Sequence, residues 1–311
     1  MLLIIHGIMH LNSRYAGFDV WRKPMTVCVF PGQGSQWVGM GRELFEHFKA
    51  PVREASLILG YDIQTLCLED PEHLLDNTRY TQPALFVINA LAWRQWRESF
   101  HGSISFLAGH SLGEYNALHI AGVFDFATGL RIVQKRAELS ATVNNGSMAA
   151  VIGLGEHEIQ RVLVLSGFKN LYIANYNSPS QFVIAGDSNA LMRATPLFLE
   201  AGAKRFIPLK VNGAFHTPLV REASEAFAEF LQDFSFNPPK IPVIANLNAM
   251  PYPAHTIAGY LACHMMQPVR WTQSIEHLLI AGEQDFVECG ARKVLTPLIN
   301  AIKKGPSMLP S

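Results

Sequence analysis

Short apolar runs and longer amphipathic segments alternate along most of the chain. The amphipathic segments have the apolar spacing of helices, and the runs between them are typical of strands. The predicted strands of this larger part are Thr26–Phe30, Ile104–Ala108, Ile241–Ala245 and Asp285–Glu288. The predicted helices cover residues 39–48, 52–59, 82–99, 126–143, 218–231, 255–265 and 272–281. This alternation predicts an α/β fold with a mostly parallel sheet and helices on both faces.

The pattern changes after residue 146. Strands are predicted at 148–152, 171–175, 181–185 and 204–209, with helices at 157–165 and 188–201. This order, β-α-β-β-α-β, is that of the ferredoxin-like unit. The chain therefore divides into a core at 25–146 and 211–303 and an inserted subdomain at 147–210. Residues 1–24 have no clear period and precede a second candidate start at Met25, so we predict an extension outside the core.

Composition argues against several classes of partner. The chain has 311 residues, 49% of them hydrophobic, and its 25 Lys and Arg balance 25 Asp and Glu. A balanced charge does not indicate binding to nucleic acid or to an anionic membrane. No apolar run reaches the roughly 18 residues of a membrane-spanning helix, and the apolar N-terminus lacks the basic start of a signal peptide. Four widely separated cysteines predict reduced thiols in a cytoplasmic protein.

Residues Gly109–Gly113 read Gly-His-Ser-Leu-Gly, between an apolar run and a helical segment that begins near Glu114. Strand, Gly-x-Ser-x-Gly and helix form the context of a nucleophile elbow. Glycine has no Cβ, so the chain can turn sharply and lift the Ser111 hydroxyl clear of the backbone. The amide of Leu112 would point from the helix N-terminus toward an oxyanion. We predict an acyl-transfer serine at Ser111, with a plain turn as the alternative.

A serine nucleophile needs a base, and twelve histidines are available. His110 lies inside the elbow, where its position predicts a side chain that points away from the reacting face. His119 lies on the following helix and is predicted to pack in the core. His216 lies where the chain leaves the small unit and enters a helix, a place where a spacer or cap is the alternative. Because the serine otherwise lacks a base, we favour His216.

Arg136 can be placed by helix geometry. The helix after Ser111 runs about 17 Å to a turn near Asp125, and an antiparallel next helix returns about 15 Å by Arg136. Arg136 would then lie level with Ser111, where it could bind a substrate carboxylate through two hydrogen bonds. The alternative is an arginine on a solvated helix face.

Six short motifs occur in order between residues 26 and 300: Pro31–Gln36, Thr81–Leu85, Gly109–Tyr115, Gln134–Arg136, Gly213–His216 and Pro268–Trp271. Together they resemble malonyl-CoA:acyl-carrier-protein transacylases and the acyltransferases of polyketide synthases. The segment from Gly109 to Arg136 is most similar to the discrete acyltransferases that serve polyketide synthases in trans. The resemblance implies a hydrolase-like core, an inserted ferredoxin-like subdomain and an active site in the cleft between them.

The resemblance also implies roles for individual residues. Ser111 becomes malonylated, His216 is its general base, and Arg136 binds the malonyl carboxylate. Backbone amides of Gln33 and Leu112 form the oxyanion hole. The phosphopantetheine thiol of an acyl carrier protein then attacks the acyl-serine in a ping-pong cycle. The implied donor is malonyl-CoA, the implied partner is the carrier protein of a polyketide synthase without its own acyltransferase, and no metal or redox cofactor is required.

Four further residues are candidates for substrate binding. Phe215 precedes the predicted base, so its ring is expected beside the α-carbon of the acyl group, where it would exclude methylmalonyl-CoA. Packing of Phe215 against the small unit is the alternative. His110, Asn177 and His264 are also predicted at the substrate site.

Two positions depart from the family pattern. His264 stands where the family commonly has a glutamine, at a position thought to orient the catalytic histidine through its backbone carbonyl. Residues 290–293 read Gly-Ala-Arg-Lys in place of Gly-Pro-Gly-Lys, so the geometry of that loop stays open.

Three other functions compete with malonyl transfer. A proofreading acyl hydrolase of the same fold would pass the acyl group to water, but such relatives lack the clamp that Arg136 would provide. An esterase with the chain order Ser-Asp-His needs a catalytic acid between Ser111 and His216, and no segment there offers a convincing candidate. A non-catalytic module that docks carrier proteins would not need Ser111, Arg136 and His216 together.

Overall fold

The computed structural model describes residues 25–305 except 145, 212 and 254, so the predicted extension at 1–24 lies outside the described residues. The described strands are β1 (Met25–Phe30), β2 (Ser103–Gly109), β3 (Ser147–Ile152), β4 (Leu171–Ser178), β5 (Gln181–Gly186), β6 (Arg205–Pro208), β7 (Val243–Ile244) and β8 (Phe286–Glu288). The described helices are α1 (Arg42–His47), α2 (Lys49–Leu59), α3 (Ile63–Leu68), α4 (Thr78–Ser99), α5 (Gly113–Ile120), α6 (Phe126–Thr142), α7 (Glu156–Ser166), α8 (Ser188–Glu200), α9 (Arg221–Phe230), α10 (Ile257–His264), α11 (Trp271–Ile280) and α12 (Leu295–Lys303). None of these helices has the length and apolar character needed to cross a membrane.

The larger sheet is parallel, with the strand order β7-β2-β1-β8. Successive residues of a strand point to opposite faces, and both faces of β1 are buried. Cys28 and Phe30 pack into a cluster with α4, α5 and α6. Val27 and Val29 pack on the other face against α11 and α12. The prediction of an α/β core with helices on both faces is confirmed.

The smaller sheet is antiparallel, with the strand order β4-β5-β3-β6. Phe182 and Ile184 of β5 pack under α7 and α8, which cover one face. Val183 and Ala185 point the other way and pack with Ala214, from the segment after β6. The ferredoxin-like order is confirmed, and the face opposite α7 and α8 is the one that Ala214 contacts.

Backbone hydrogen bonds join the two sheets at β4. The amide of Val269 donates to the Ala174 carbonyl at 2.8 Å, and the amide of Tyr176 donates to the Val269 carbonyl at 2.9 Å. The end of β4 is thereby fixed against the segment that leads into α11. This attachment places Asn177, the next residue of β4, beside the carboxyl end of the parallel sheet.

Some element boundaries differ from the sequence-based prediction. The sequence pattern does not predict α3 and α12, and α4 begins at Thr78, before its predicted start. The Asn77 side chain caps α4 by accepting a hydrogen bond from the amide of Arg79 at 3.0 Å, so the helix starts earlier. β7 is shorter than predicted because the chain turns into a tight loop, in which the amide of Ala245 donates to the Met250 carbonyl at 2.9 Å.

Candidate active site

The nucleophile elbow joins the end of β2 to the start of α5. Ser111 has φ 51°, in the left-handed region that is unfavourable for a residue other than glycine. A Cβ on Gly109 would lie 2.0 Å from the Gly113 carbonyl carbon, and one on Gly113 would lie 2.0 Å from the Phe30 carbonyl oxygen. The serine itself therefore holds the strained conformation, and the glycines permit the close packing around it. This differs from the expectation that the glycines make the sharp turn.

The serine hydroxyl contacts His216, whose Nε2 lies 2.8 Å from Ser111 Oγ. The other ring nitrogen, Nδ1, lies 2.9 Å from the His264 carbonyl oxygen and 3.1 Å from that of Gln267. Because carbonyl oxygens only accept hydrogen bonds, Nδ1 carries the proton of the neutral ring and Nε2 can accept one from the serine. Two backbone carbonyls thus fix the tautomer that a general base needs, as a carboxylate does in a Ser-His-Asp triad.

The environment of His216 favours its neutral form. Burial, with a contribution from the Arg136 guanidinium, lowers the pKa of His216 from 6.5 to about 3. The imidazole is therefore neutral near neutral pH and ready to accept a proton. An anionic group bound to Arg136 would offset the guanidinium charge and raise the pKa of His216 when that group binds.

Arg136 reaches Ser111 from α6, as the antiparallel-helix geometry predicts. Its Nη2 donates to Ser111 Oγ at 3.2 Å, and its Nη1 donates to the Gln82 side-chain oxygen at 2.5 Å. The guanidinium carbon lies 5.4 Å from the centre of the Tyr115 ring, and the residue is only 5% exposed. Among the described residues, no ion pair involves Arg136. A buried cation without a carboxylate partner is suited to bind one from a ligand.

Two backbone amides line the cavity at the serine. Gly32 approaches the elbow so closely that a Cβ there would lie 2.4 Å from the His110 carbonyl oxygen and 3.6 Å from the Leu112 nitrogen. This approach brings the next residue, Gln33, to the same cavity as Leu112 and Ser111. Within the part of the chain that the structure describes, the amides of Gln33 and Leu112 donate no hydrogen bond. Both are therefore available to an oxyanion.

A cavity of about 390 Å³ opens at Ser111. The face of the antiparallel sheet opposite α7 and α8 supplies Met148, Ala150 and Val183 to its wall, and α12 supplies Leu298. The cavity brings together eight predicted site residues: Gln33, His110, Ser111, Leu112, Arg136, Asn177, Phe215 and His216. Phe215 also packs against the antiparallel sheet. Its position therefore fits both predictions, a ring beside the acyl group and packing against the smaller unit.

His110 lies on the cavity wall, although its position in the turn predicts that it points away. Its Nε2 lies 2.8 Å from Oδ1 of Asn177. Burial lowers the pKa of His110, so the ring is neutral, and Nε2 carries the proton because an amide oxygen only accepts. This hydrogen bond links the elbow to the end of β4.

His264 contributes its backbone carbonyl to the site, and its ring lies behind the base. The two imidazole rings have centres 4.9 Å apart, and His264 is fully buried. Its Nδ1 lies 3.8 Å from Glu114 Oε1, and neither ring nitrogen has a hydrogen-bond partner among the described residues. The predicted substrate contact of the His264 side chain is not seen, because the ring packs into the interior and is not part of the cavity wall.

The loop that departs from the family pattern packs against the first glycine-rich turn. A Cβ on Gly290 would lie 2.4 Å from Pro31 Cγ, so the glycine is needed there. The Ala291 carbonyl accepts a hydrogen bond from Trp37 Nε1 at 3.1 Å, and the guanidinium carbon of Arg292 lies 6.0 Å from the centre of the Trp37 indole. The substituted residues Ala291 and Arg292 thus contact Trp37, while Gly290 packs against Pro31.

Sequence reasoning missed two polar residues that hold the site. Gln82 orients Arg136 and lies inside a motif that carried no predicted role for it. Asn246 follows β7 and bonds to the elbow. The signal that could have found Asn246 is its place directly after a buried parallel strand, since functional residues of parallel sheets gather at the carboxyl ends of strands.

Comparison with known proteins agrees with this geometry. The family described as "Acyl transferase domain" matches residues 27–305. Over 287 residues the chain is 45% identical to the polyketide biosynthesis malonyl CoA-acyl carrier protein transacylase PksC of Bacillus subtilis, an alignment that covers 92% of this chain and 100% of PksC. Over 278 residues it is 44% identical to the polyketide biosynthesis protein ThaF of Burkholderia thailandensis; this match covers 89% of the chain but only 24% of ThaF.

Solved structures with the same fold include the malonyl CoA-acyl carrier protein transacylase of Burkholderia pseudomallei. Its TM-score is 0.88 at 43% identity, covering 93% of this chain and 100% of that one. A second is described as a type II PKS acyl-carrier protein in complex with its malonyl-transacylase, with a TM-score of 0.86 at 37% identity, covering 90% and 93% of the two chains. These similarities extend over both sheets.

Proposed function

The chain belongs to the acyl transferase domain family, and from this premise we propose that it is a malonyl-CoA:acyl carrier protein transacylase. It takes the malonyl group from malonyl-CoA and passes it to the phosphopantetheine thiol of an acyl carrier protein. The transacylase PksC and the carrier-protein complex among the structural neighbours support this donor and this acceptor. The names of PksC and ThaF support a role in polyketide biosynthesis.

One observation carries the proposal: a base and a buried cation converge on the same hydroxyl. Ser111 Oγ lies 2.8 Å from His216 Nε2 and 3.2 Å from Arg136 Nη2. A serine and a base alone would fit any acyl-enzyme chemistry. The guanidinium adds recognition of a negative group on the acyl chain, and a malonyl thioester carries a free carboxylate.

In the first half-reaction, His216 Nε2 takes the proton of Ser111 as its oxygen attacks the thioester carbonyl. The amides of Gln33 and Leu112 donate hydrogen bonds to the oxyanion. When the intermediate collapses, the carbon–sulfur bond breaks and His216 returns the proton to the departing CoA sulfur. Arg136 exchanges its bond to the hydroxyl for the malonyl carboxylate and so orients the donor.

In the second half-reaction, His216 takes the proton of the phosphopantetheine thiol, whose sulfur attacks the ester carbonyl of malonyl-Ser111. The same two amides stabilise the second oxyanion. The carbon–oxygen bond to Ser111 then breaks, and His216 returns the proton to the serine. In both half-reactions the base and the oxyanion donors come from this chain, and the steps balance with the two substrates, so we propose a reaction without a metal or redox cofactor.

Three finer points belong to the proposal. We assign Phe215 to donor selection, because it lines the cavity beside His216. We also propose that His110 and Asn177, which are hydrogen-bonded to each other on the same wall, contact the donor or the phosphopantetheine arm. We place the enzyme in the cytoplasm with carrier proteins of a synthase that lacks its own acyltransferase; the free cysteines among the described residues fit that compartment.

A transfer assay tests the proposed function. Malonyl-CoA labelled in the malonyl group is incubated with the protein and a phosphopantetheinylated acyl carrier protein. We expect label on the carrier protein with the wild type and none with Ser111→Ala. The same carrier protein without phosphopantetheine is the control and should stay unlabelled. Release of free malonate without labelling of the carrier protein would instead identify a hydrolase.

A further inference from the structure

Asn246 connects the loop after β7 to both sides of the nucleophile elbow. Its Oδ1 accepts a hydrogen bond from the backbone N–H of Ser111 at 2.7 Å. Its Nδ2 donates to the Gly109 carbonyl at 2.6 Å. Asn246 is fully buried and does not line the cavity. One amide group thus satisfies a donor and an acceptor on either side of His110.

These two bonds act on the strained part of the backbone. Ser111 is held at φ 51°, and such a conformation persists only where the surroundings fix it. The Gly109 carbonyl and the Ser111 N–H lie on either side of His110, in the turn whose backbone angles decide where Ser111 Oγ points. Without Asn246, both groups would be buried without these partners, and the turn would relax to satisfy them.

A second layer holds Asn246 in place. The backbone N–H of Asn246 donates to Glu114 Oε2 at 2.7 Å, and the Tyr252 hydroxyl donates to Glu114 Oε1. Glu114 is fully buried on α5, directly after the elbow. Burial raises the pKa of its carboxyl to about 7, with the bonds from Tyr252 and Asn246 opposing that rise. The loop after β7 is therefore tied to both the turn and the helix that follows it.

We propose that Asn246 is a positioning residue that holds Ser111 in the conformation required for attack, with Glu114 and Tyr252 fixing Asn246 from behind. The proposal rests on the proposed function, in which Ser111 is the nucleophile. Asn246 acts through the backbone of Ser111 and touches no substrate. Its removal lowers the rate of acylation and leaves the affinity for the donor unchanged, because the groups that bind the donor stay in the cavity.

The test compares Asn246→Leu with a matched substitution, Asn116→Leu. Asn116 is also fully buried and has two side-chain hydrogen bonds, to the Phe86 carbonyl at 2.8 Å and from Asn89 at 3.1 Å. Neither bond reaches the elbow. The two variants therefore lose the same groups at the same burial, and only one of them loses contact with Ser111.

Single-turnover acylation by malonyl-CoA is measured per folded molecule at several donor concentrations. We expect Asn246→Leu to lower the limiting rate by about tenfold to a hundredfold, the effect of shifting a reacting atom by roughly 1 Å. The donor concentration that gives half of the limiting rate should stay within about threefold, a difference of less than 1 kcal/mol. Asn116→Leu should keep the limiting rate of the wild type, even if its thermal stability falls as much as that of Asn246→Leu.

A second variant, Asn246→Asp, keeps the shape and separates positioning from folding. A protonated carboxyl accepts from the Ser111 N–H and donates to the Gly109 carbonyl, so it reproduces both bonds. An ionised carboxylate cannot donate and repels that carbonyl. We expect the ratio of variant to wild-type acylation rates to be highest at low pH and to fall as the carboxyl ionises. The titratable and charged groups around the elbow are present in both proteins, so the ratio isolates residue 246: they are Glu114, Tyr252, Tyr115, His110, His264, Arg136 and His216.

The outcomes separate this inference from the proposed function. If malonyl-CoA does not acylate the wild type, the proposed function fails. If the wild type is acylated but Asn246→Leu and Asn116→Leu react equally fast per folded molecule, Asn246 has only a structural role. A variant-to-wild-type ratio for Asn246→Asp that does not change with pH would also overturn the inference.

Discussion

The parallel and the antiparallel sheet contribute different kinds of surface to one cavity. Helices cover both faces of the parallel sheet, so only the ends of its strands are available for chemistry. Ser111 follows β2 and Asn246 follows β7 at that edge. In the antiparallel sheet, α7 and α8 cover one face, and the other face lines the cavity with Met148, Ala150 and Val183. The nucleophile thus comes from a strained strand end, and part of the cavity wall comes from a sheet face.

This difference predicts two kinds of mutational effect. Changes at the carboxyl edge of the parallel sheet, and at the groups that converge there, should lower the rate of acyl transfer. Changes on the wall formed with the antiparallel sheet should alter which donor is used.

His216→Ala should have the largest effect, because the serine hydroxyl is a poor nucleophile without its base. Loss of a general base typically slows a reaction by about a hundredfold to ten-thousandfold. The measurement is single-turnover acylation by malonyl-CoA. His157→Ala, an exposed histidine on α7 of the smaller unit, is the control and should react normally. Normal acylation of His216→Ala would remove His216 from the mechanism.

Arg136→Ala should reduce malonyl transfer by about tenfold to a hundredfold, the loss expected for a charged hydrogen-bonded pair of about 1.5–3 kcal/mol. Acetyl transfer should fall less or rise, since acetyl-CoA has no carboxylate for the guanidinium to bind. The comparison requires kcat/KM for both donors. Arg131→Ala, an exposed arginine on the same helix, should change neither. Equal losses for the two donors would make Arg136 structural.

Phe215→Ser should change selectivity more than rate. The wild type is expected to favour malonyl-CoA over methylmalonyl-CoA, because the rigid ring on the cavity wall should crowd an added methyl group. Overpacking costs of about 1–3 kcal/mol predict a preference of roughly tenfold to a hundredfold. Competition between the two donors measures it in wild type and variant. A preference that survives unchanged in Phe215→Ser would assign selection to another residue.

His264→Gln should have the smallest effect, within about threefold on kcat/KM, which is less than 1 kcal/mol. The variant keeps the backbone carbonyl of residue 264, whose oxygen lies 2.9 Å from His216 Nδ1. The imidazole ring that it loses has no hydrogen-bond partner among the described residues. His216→Ala, assayed beside it, gives the scale of a lost base. A tenfold loss in His264→Gln would show that the ring itself acts in the reaction.

The sequence predicts most of this arrangement where local rules apply. The fixed rise of a helix places Arg136 beside Ser111, and the strand–turn–helix context identifies the elbow. The sequence does not predict α12, because the residue that caps its N-terminus lies in β8 and not at the start of the helix. The Glu288 carboxylate accepts hydrogen bonds from the amides of Val294, Leu295 and Thr296, each at 2.8 Å.

The remaining differences come from contacts between distant parts of the chain. Asn246 and Ser111 are 135 positions apart, and no local pattern brings them together. At His264, the family pattern points to a role for the carbonyl. Only the packing of α10 decides that the ring lies away from the cavity. A motif identifies a position, and tertiary packing decides which of its atoms face the substrate.

Peptide mapping tests directly whether Ser111 carries the malonyl group. The protein is incubated with malonyl-CoA without a carrier protein, digested, and the acylated peptide is sequenced by mass spectrometry. We expect a malonyl group on Ser111, its absence in Ser111→Ala, and its loss when phosphopantetheinylated carrier protein is added. A malonyl group that remains in Ser111→Ala, or that maps to another residue such as the exposed Cys263, would contradict it.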